Sequence, residues 1–535
     1  MSLTDTDYLI NGSSSDLWER HVGPRWYSHD IAGLHIVAID WNTWERGIDR
    51  VRQDRWIRND IDAIGDRPWI LLAHDNPHAS FFRNLPTKPL AVLTGHWHTD
   101  RVTTHQGIRF INTPSALFAG LDHSAPSSRI ITWDGIEVKP SAPIGVPRTP
   151  VSGGALWSRS LQASGRTAGG PVLCGDAVIV AGTGDEPESG RVTVLGLTDG
   201  EQRWSTAFDH PIAARPAVVG NMIIVHDIAG NAAGFDVTDG TRVWTDFSAD
   251  PLRDWCLTVP AVSSDDVVVV GYPGTLRALD PVTGERRWTF PRPWPHFNNV
   301  PHTGVMLAGD ELLLGAAPLR PALVAIEPQT GEPMWQLDSP SAEGTDRSAA
   351  VAATPLSVAV RDDAMSHLDW FGWSPVGPGN RHRSGVTVFP ASGHLWAIDD
   401  GKILWDRETS TVYAPGQPAF HGDLVIAVTS DRRMSAYHVR TGSAAWSLEL
   451  EGDALLPHIP FRRTAHGPLM GSPTVEKNTV YAPGMDGRIH AVNAATGRYE
   501  RSYEIGQSLL APPLATDDRL IVVTTDGTVV AVGRD

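Results

Sequence analysis

The chain is poor in cysteine. Only Cys174 and Cys256 occur in 535 residues, far apart, which excludes a disulfide scaffold and any zinc site built on a Cys-x-x-Cys pair. Both are read as buried thiols. No run approaches the ~20 apolar residues of a membrane-crossing helix, so no membrane span is expected. Met1–Asp7 is polar and acidic and lacks the basic start and apolar core of an export signal. As written, the chain is expected in the cytoplasm, and outside it if an export signal precedes Met1. Basic residues are outnumbered, 44 against 61 acidic, for a net charge of −17. Residues 1–150 carry 15 basic and 17 acidic side chains, so nearly all the excess lies beyond them and argues against a nucleic-acid groove there. A composition of 41% hydrophobic and 20% charged residues fits a soluble globular protein, and the length asks for two or more domains.

What is present begins with two short apolar runs, 69–73 and 90–93, each running directly into histidine. Both are too short for free-standing helices and read as buried strands. His74 then sits at the carboxyl end of one strand, and His96 and His98 just past the other. That edge of an α/β sheet is where ligands and metals are held. Between strands predicted at 34–40 and 69–73, residues 53–64 place Trp56, Ile57, Ile61 and Ile64 on one helical face. Nine of the 21 histidines fall in the first 150 residues, which favours metal chemistry there, although His35, His78 and others read singly as hydrogen-bonded or surface residues.

Ala73-His74 and Gly95-His96-Trp97-His98 resemble the last two motifs of the calcineurin-like metallophosphoesterases, and the resemblance covers about residues 1–140. It implies part of an α/β sandwich, divalent manganese, iron or zinc, and a phosphoester substrate. His74 and His96 would belong to one metal and His98 to the other. The family's three early motifs are missing. By position, Asp5 would stand in for a metal-binding asparagine, with Thr6 replacing a catalytic histidine.

Residues 141–152 carry three prolines and read as a semi-rigid linker. From 153 to 535 one pattern recurs: an apolar strand, a short Leu/Ala/Asp strand, a glycine turn, and a tryptophan four residues after that glycine. Trp204, Trp244, Trp288, Trp335, Trp405 and Trp446 mark six copies, and in a seventh Arg501 takes the tryptophan position. Intervals of 40 to 47 residues, apart from one of 70, are those of a four-stranded propeller blade. The tryptophans are read as covers for blade seams. The strand at 155–161 is predicted to complete an eighth blade with the C-terminal strands, closing the ring. The 70-residue interval holds an insertion, with Asp369–Pro375 and Gly377–Arg383 combining aromatic and basic residues. It reads either as a contacting flap or as a surface loop packed on its own aromatics.

These repeats resemble the quinoprotein-like propellers. Pyrroloquinoline quinone is not expected, because the adjacent cysteines typical of its binders are absent. The expected fold is therefore multidomain, a partial α/β metallophosphoesterase-like sandwich followed by an all-β eight-bladed propeller. The expected function is a metal-dependent phosphoester hydrolase whose propeller binds substrate or a partner. The alternative is a catalytically degenerate scaffold that binds a protein partner, and oligomerisation is left open.

Overall fold

The computed structural model describes residues 12–289 apart from 46, 96–98, 117–123, 125, 145–153, 162–168, 249–251, 253–259, 263–267 and 271–275. Beyond these it describes 305–308, 311–315, 323–337 and 380–534 apart from 392–393, 411–415 and 460–464. Asp5, His96, His98, Cys256 and the insertion from 369 to 379 lie outside the described residues. Cys174 is a half-buried free thiol.

The N-terminal unit is one six-stranded sheet. Strands β1 (Tyr27–Ile31), β2 (Leu34–Ala38), β3 (Trp69–Leu72), β4 (Ala91–Thr94), β5 (Arg101–His105) and β6 (Ile108–Asn112) stand in the order β1-β2-β3-β4-β6-β5. The four central strands are parallel and the two edges antiparallel. Helices α1 (Gly12–His21), α2 (Trp41–Glu45), α3 (Arg50–Ile64) and α4 (Ala79–Arg83) accompany it. α3 connects β2 to β3 and buries Ile57 and Ile61 against Val37, Leu71, Val92 and Phe110. It begins three residues before the apolar period predicts, because Gln53 faces the interior: its carboxamide accepts from the Asp40 N–H at 3.0 Å and donates to the Asp40 carbonyl at 3.3 Å.

The other face of the sheet, with Leu34, Ile70, Ala91 and Ile111, is covered by the hairpin of β7 (Ile131–Trp133) and β8 (Val138–Pro140), which inserts Val138. This corrects the expected sandwich. Among the described residues the second layer is a two-stranded hairpin, which leaves a mostly β protein dominated by its propeller.

Eight four-stranded antiparallel sheets follow, spanning 172–208, 217–246, 261–289, 305–337, 380–408, 419–449 and 474–504, with the eighth at 514–533 completed by β9 (Ala155–Ser160). Ala531 pairs with Trp157 and Thr528 with Ser160, so the first and last segments share one blade. An apolar cluster of Trp157, Val178, Val180, Leu195, Ile521 and Val529 cements the eighth blade to the first.

Seven of the eight seams follow one rule: the tryptophan on a blade's outermost strand lies against the glycine in the last turn of the next blade. The indole N–H of Trp157, Trp204, Trp244, Trp288, Trp405 and Trp446 donates to a carbonyl there. Trp204 bonds the Val237 carbonyl at 2.8 Å, Trp405 that of Val439 at 2.7 Å and Trp446 that of Ala494 at 2.9 Å. Gly442 has φ 64°, and a Cβ on it would meet the Trp405 ring at 2.7 Å. Glycine is needed there for both conformation and space. Arg501 breaks the rule for a reason of topology. Its neighbour is the composite blade, whose last two strands are not joined by a turn, so there is no glycine to cover. That seam is held by the Tyr503 hydroxyl donating to the Arg534 carbonyl at 3.2 Å and by Arg534 Nε donating to the Tyr481 oxygen at 2.9 Å.

Trp405→Ala should lower stability by about 3–5 kcal/mol, and Trp405→Phe, which keeps a ring but loses the indole donor, by about 1–2 kcal/mol. Denaturant unfolding measures both, and an unchanged midpoint for the alanine variant would contradict the seam's role.

Candidate functional site

Two stations on one side of the molecule combine polar and apolar groups in ways that packing alone does not demand. The first is the carboxyl rim of the six-stranded sheet. His74 follows β3 directly, half-buried, and its carbonyl accepts from the Gly95 N–H at 3.0 Å. Sequence reasoning placed it there. Beside it runs a ladder of neutral amides and hydroxyls that the sequence did not announce. Thr94 Oγ1, at the end of β4, lies 3.2 Å from the side-chain oxygens of both Asn76 and Asn112, and Asn112 Nδ2 donates to the Thr99 carbonyl at 2.9 Å. Asn76 and Asn112 are buried. Asp100 forms a buried ion pair with Arg129. No group of three or more His, Cys, Asp or Glu side chains able to hold a metal occurs among the described residues. Among the described residues, Asn76 and Asn112 are thus tied together through Thr94 and Thr99, a chemistry suited to locking loops.

The same rim meets the propeller. In a meander of four strands the second-to-third hairpins and the links between blades share one face, and that face receives the N-terminal unit. Arg101, buried on edge strand β5, donates from Nε and Nη2 to the Ile228 carbonyl at 3.3 Å. Away from that rim, at the amino end of β6, Arg109 Nη2 reaches Glu188 on the corresponding hairpin of the first blade at 2.9 Å. Leu252, on the link after the second blade, is buried in the N-terminal unit's own core cluster.

Under Ile228 lies a cluster that sequence reasoning missed. Asp227 is buried. Its Oδ1 accepts from the Ala229 and Asn231 N–H groups at 2.9 Å each, and its Oδ2 lies 2.9 Å from Asn231 Nδ2 and 3.0 Å from His210 Nδ1. The signal was available: an aspartate just before the second-to-third hairpin glycine recurs as Asp227-x-x-Gly230, Asp486-Gly487 and Asp526-Gly527.

The second station lies on the same face across the ring. The described parts of the link between the sixth and seventh blades, 450–459 and 465–473, meet the seventh blade's hairpin, with the Leu455 N–H donating to the Met485 carbonyl at 2.8 Å. Leu456, Met470, Met485 and Leu510 form a small apolar cluster, and Leu455, next to Leu456 in the chain, is 51% exposed. Of the insertion before the fifth blade, the described end is structural. His382 is buried, its Nε2 lies 2.7 Å from the Gly422 carbonyl, and Asn380 Nδ2 donates to the Pro418 carbonyl at 2.9 Å.

The junction carries a pH dependence. Burial disfavours charge on His210, but the hydrogen bond and negative charge of Asp227 outweigh it, and the pKa is raised above the ordinary 6.5. Arg101 opposes the rise and Asp209 assists it. A raised histidine pKa stabilises the fold fully below the unfolded value, and that contribution is lost as pH climbs through the folded one. Unfolding midpoints should therefore decline as pH rises above the ordinary histidine value of 6.5, and Asp227→Asn, which keeps Oδ1 but removes the charge, should flatten the curve. Equal slopes in the two proteins would contradict the assignment.

Residues 148–253, 249–368, 364–467 and 460–535 match the family described as outer membrane protein assembly factor BamB, built of PQQ-like repeats. The assembly factor BamB of Burkholderia pseudomallei is 26% identical over 377 residues, covering 70% of this chain and 86% of that protein. The Bordetella pertussis BamB is 22% identical over 386 residues, covering 70% and 86%. The crystal structure of BamB from Moraxella catarrhalis superposes with a TM-score of 0.53 at 18% identity, over 71% of this chain and 99% of that one, which speaks for the fold alone. These names correct two expectations. The relatives are assembly factors, which overturns the metal-dependent phosphoester hydrolase, and they act in outer membrane assembly, which overturns the cytoplasmic location. Through its propeller, the chain belongs to the outer membrane protein assembly factor BamB family of PQQ-like repeat proteins.

Proposed function

We propose that the protein is a binding scaffold in outer membrane protein assembly, whose propeller docks a protein partner. The observation that carries this reading is the match of residues 148–535 to a family named for that process. On this reading residues 1–140 form an accessory α/β unit, 141–152 a linker and 153–535 the propeller. The accessory unit covers the hairpin face over the first two blades and leaves the ridge around Leu455 open. An exposed leucine at the edge of a small apolar cluster suits a protein contact. Affinity capture of the full chain from its own cell envelopes should recover an outer-membrane assembly component, and Leu455→Asp should reduce recovery about tenfold or more. Undiminished capture by the variant would remove the ridge from the interface, and capture of no envelope protein would remove the reading itself.

The accessory unit, in this proposal, keeps a phosphoesterase-like sheet without a two-metal centre. His74, His96 and His98 bring no negative charge to a metal, and with Asp5 as the single candidate carboxylate and no bridging aspartate assigned, two adjacent cations would lack charge compensation. A single divalent ion would be held weakly. Purified protein should retain less than one manganese, iron or zinc per chain after dialysis. It should turn over an aryl phosphodiester no faster than its His96→Ala variant. Two metals per chain, with turnover lost in the variant, would reverse this part of the proposal.

A further inference from the structure

The sheet of the N-terminal unit has two edges with different fates. β5 is turned toward the propeller and is buried at Arg101, Val102 and Thr103. Among the described residues β1 has no strand beyond β2, and Tyr27 is 45% and Ile31 53% exposed. Natural edge strands are usually blunted by lysine, proline or a bulge. β1 has none of these, and its register with β2 is unbroken from Tyr27↔Ala38 to Ile31↔Leu34. Its one carboxylate, Asp30, is already engaged by His35 at 2.7 Å and Arg67 at 2.6 Å.

The direction of each backbone group on this edge can be read off. Ala32 and Gly33, at φ 50° and 82°, form a two-residue turn of the mirror-image type, whose flanking residues Ile31 and Leu34 exchange both hydrogen bonds. Consistently, the His35 N–H bonds the Pro68 carbonyl and the Ile39 N–H the Leu72 carbonyl, on the side of β3. Hydrogen-bonded and non-bonded pairs alternate along the ladder. The N–H and C=O of Tyr27, His29 and Ile31 therefore face β2, and those of Ser28 and Asp30 point outward, unpaired by the sheet.

We propose that β1 pairs with β1 of a second copy of this chain, antiparallel about a two-fold axis at His29, joining two six-stranded sheets into one. An antiparallel ladder matches outward residues only with outward residues, which restricts the register to steps of two. Centring on Asp30 would set two carboxylates face to face, and centring on Ser28 would leave Ile31 unmatched by any β1 residue. Centring on His29 pairs Ser28 with the partner's Asp30 in both directions and lays Tyr27 beside the partner's Ile31. The two exposed apolar side chains of the strand thus cover each other, an aromatic–aliphatic pair occurring twice. The strands alone bury less than the about 1,200–2,000 Å² of a stable complex, so the association is weak, with a dissociation constant in the ~micromolar range.

Sedimentation equilibrium of the full chain tests this between about 1 and 100 μM, with a melting curve for each variant to verify folding. The wild type should show a monomer–dimer equilibrium. The double variant Tyr27→Lys/Ile31→Lys sets like charges opposite one another and should raise the dissociation constant at least ~tenfold. The double variant Tyr27→Lys/Ile31→Glu sets each lysine against the partner's glutamate and should restore association in a salt-sensitive form. A wild type that stays monomeric throughout, a lysine pair that dimerises like the wild type, or a lysine–glutamate pair no tighter than the lysine pair would each overturn the proposal.

Discussion

An indole laid against a bare glycine is the contact on which the ring depends. A four-stranded blade cannot bury both of its faces alone, so each must be sealed by its neighbours. Here the seal is a large flat ring on one side and a residue with no side chain on the other, tied by one N–H to a carbonyl, as in Trp204 with Val237 and Trp446 with Ala494. The geometry leaves no room for even a methyl group at Gly240, Gly442 or Gly497.

That dependence explains how much was legible beforehand. The tryptophan and glycine positions are fixed by contacts between consecutive repeats, so their spacing writes the architecture into the chain. The exception at Arg501 was visible as a letter but not as a consequence, because its meaning lies in which strands share the last blade. At the N-terminal sheet, hydrophobic runs of four or five residues announced β3 and β4 and set His74 at the rim. The junction was invisible. Arg101 and Ile228 are 127 positions apart, and no periodicity ties an edge arginine to a carbonyl on another unit. The amide ladder of Asn76, Thr94 and Asn112 was equally silent, since isolated asparagines and threonines in a sequence are usually turn residues.

The histidine-rich rim misled the functional reading for a physical reason. Histidine after a strand marks the place where a sheet can hold metal, but the charge of a metal pair has to be met by carboxylates, and the motifs that supply them are missing. Position on a fold is not chemistry. Among the described buried carboxylates of the N-terminal unit, Asp40 pairs with Arg25 and Asp100 with Arg129, while Asp75, next to His74, accepts from the Asn76 N–H, and at the propeller junction Asp227 is engaged by its own hairpin and His210.

The strand Ala155–Ser160 completes a blade whose other strands end at Gly533. During synthesis it emerges before any blade it could join and must wait for more than 350 further residues. Until the last of them leaves the ribosome, the seven earlier sheets form an arc with a raw edge at either end, open to pairing with other chains. Closure therefore waits on the emergence of residues 514–533. A chain that stalls before them leaves both edges open and lacks the contact that would have hidden them.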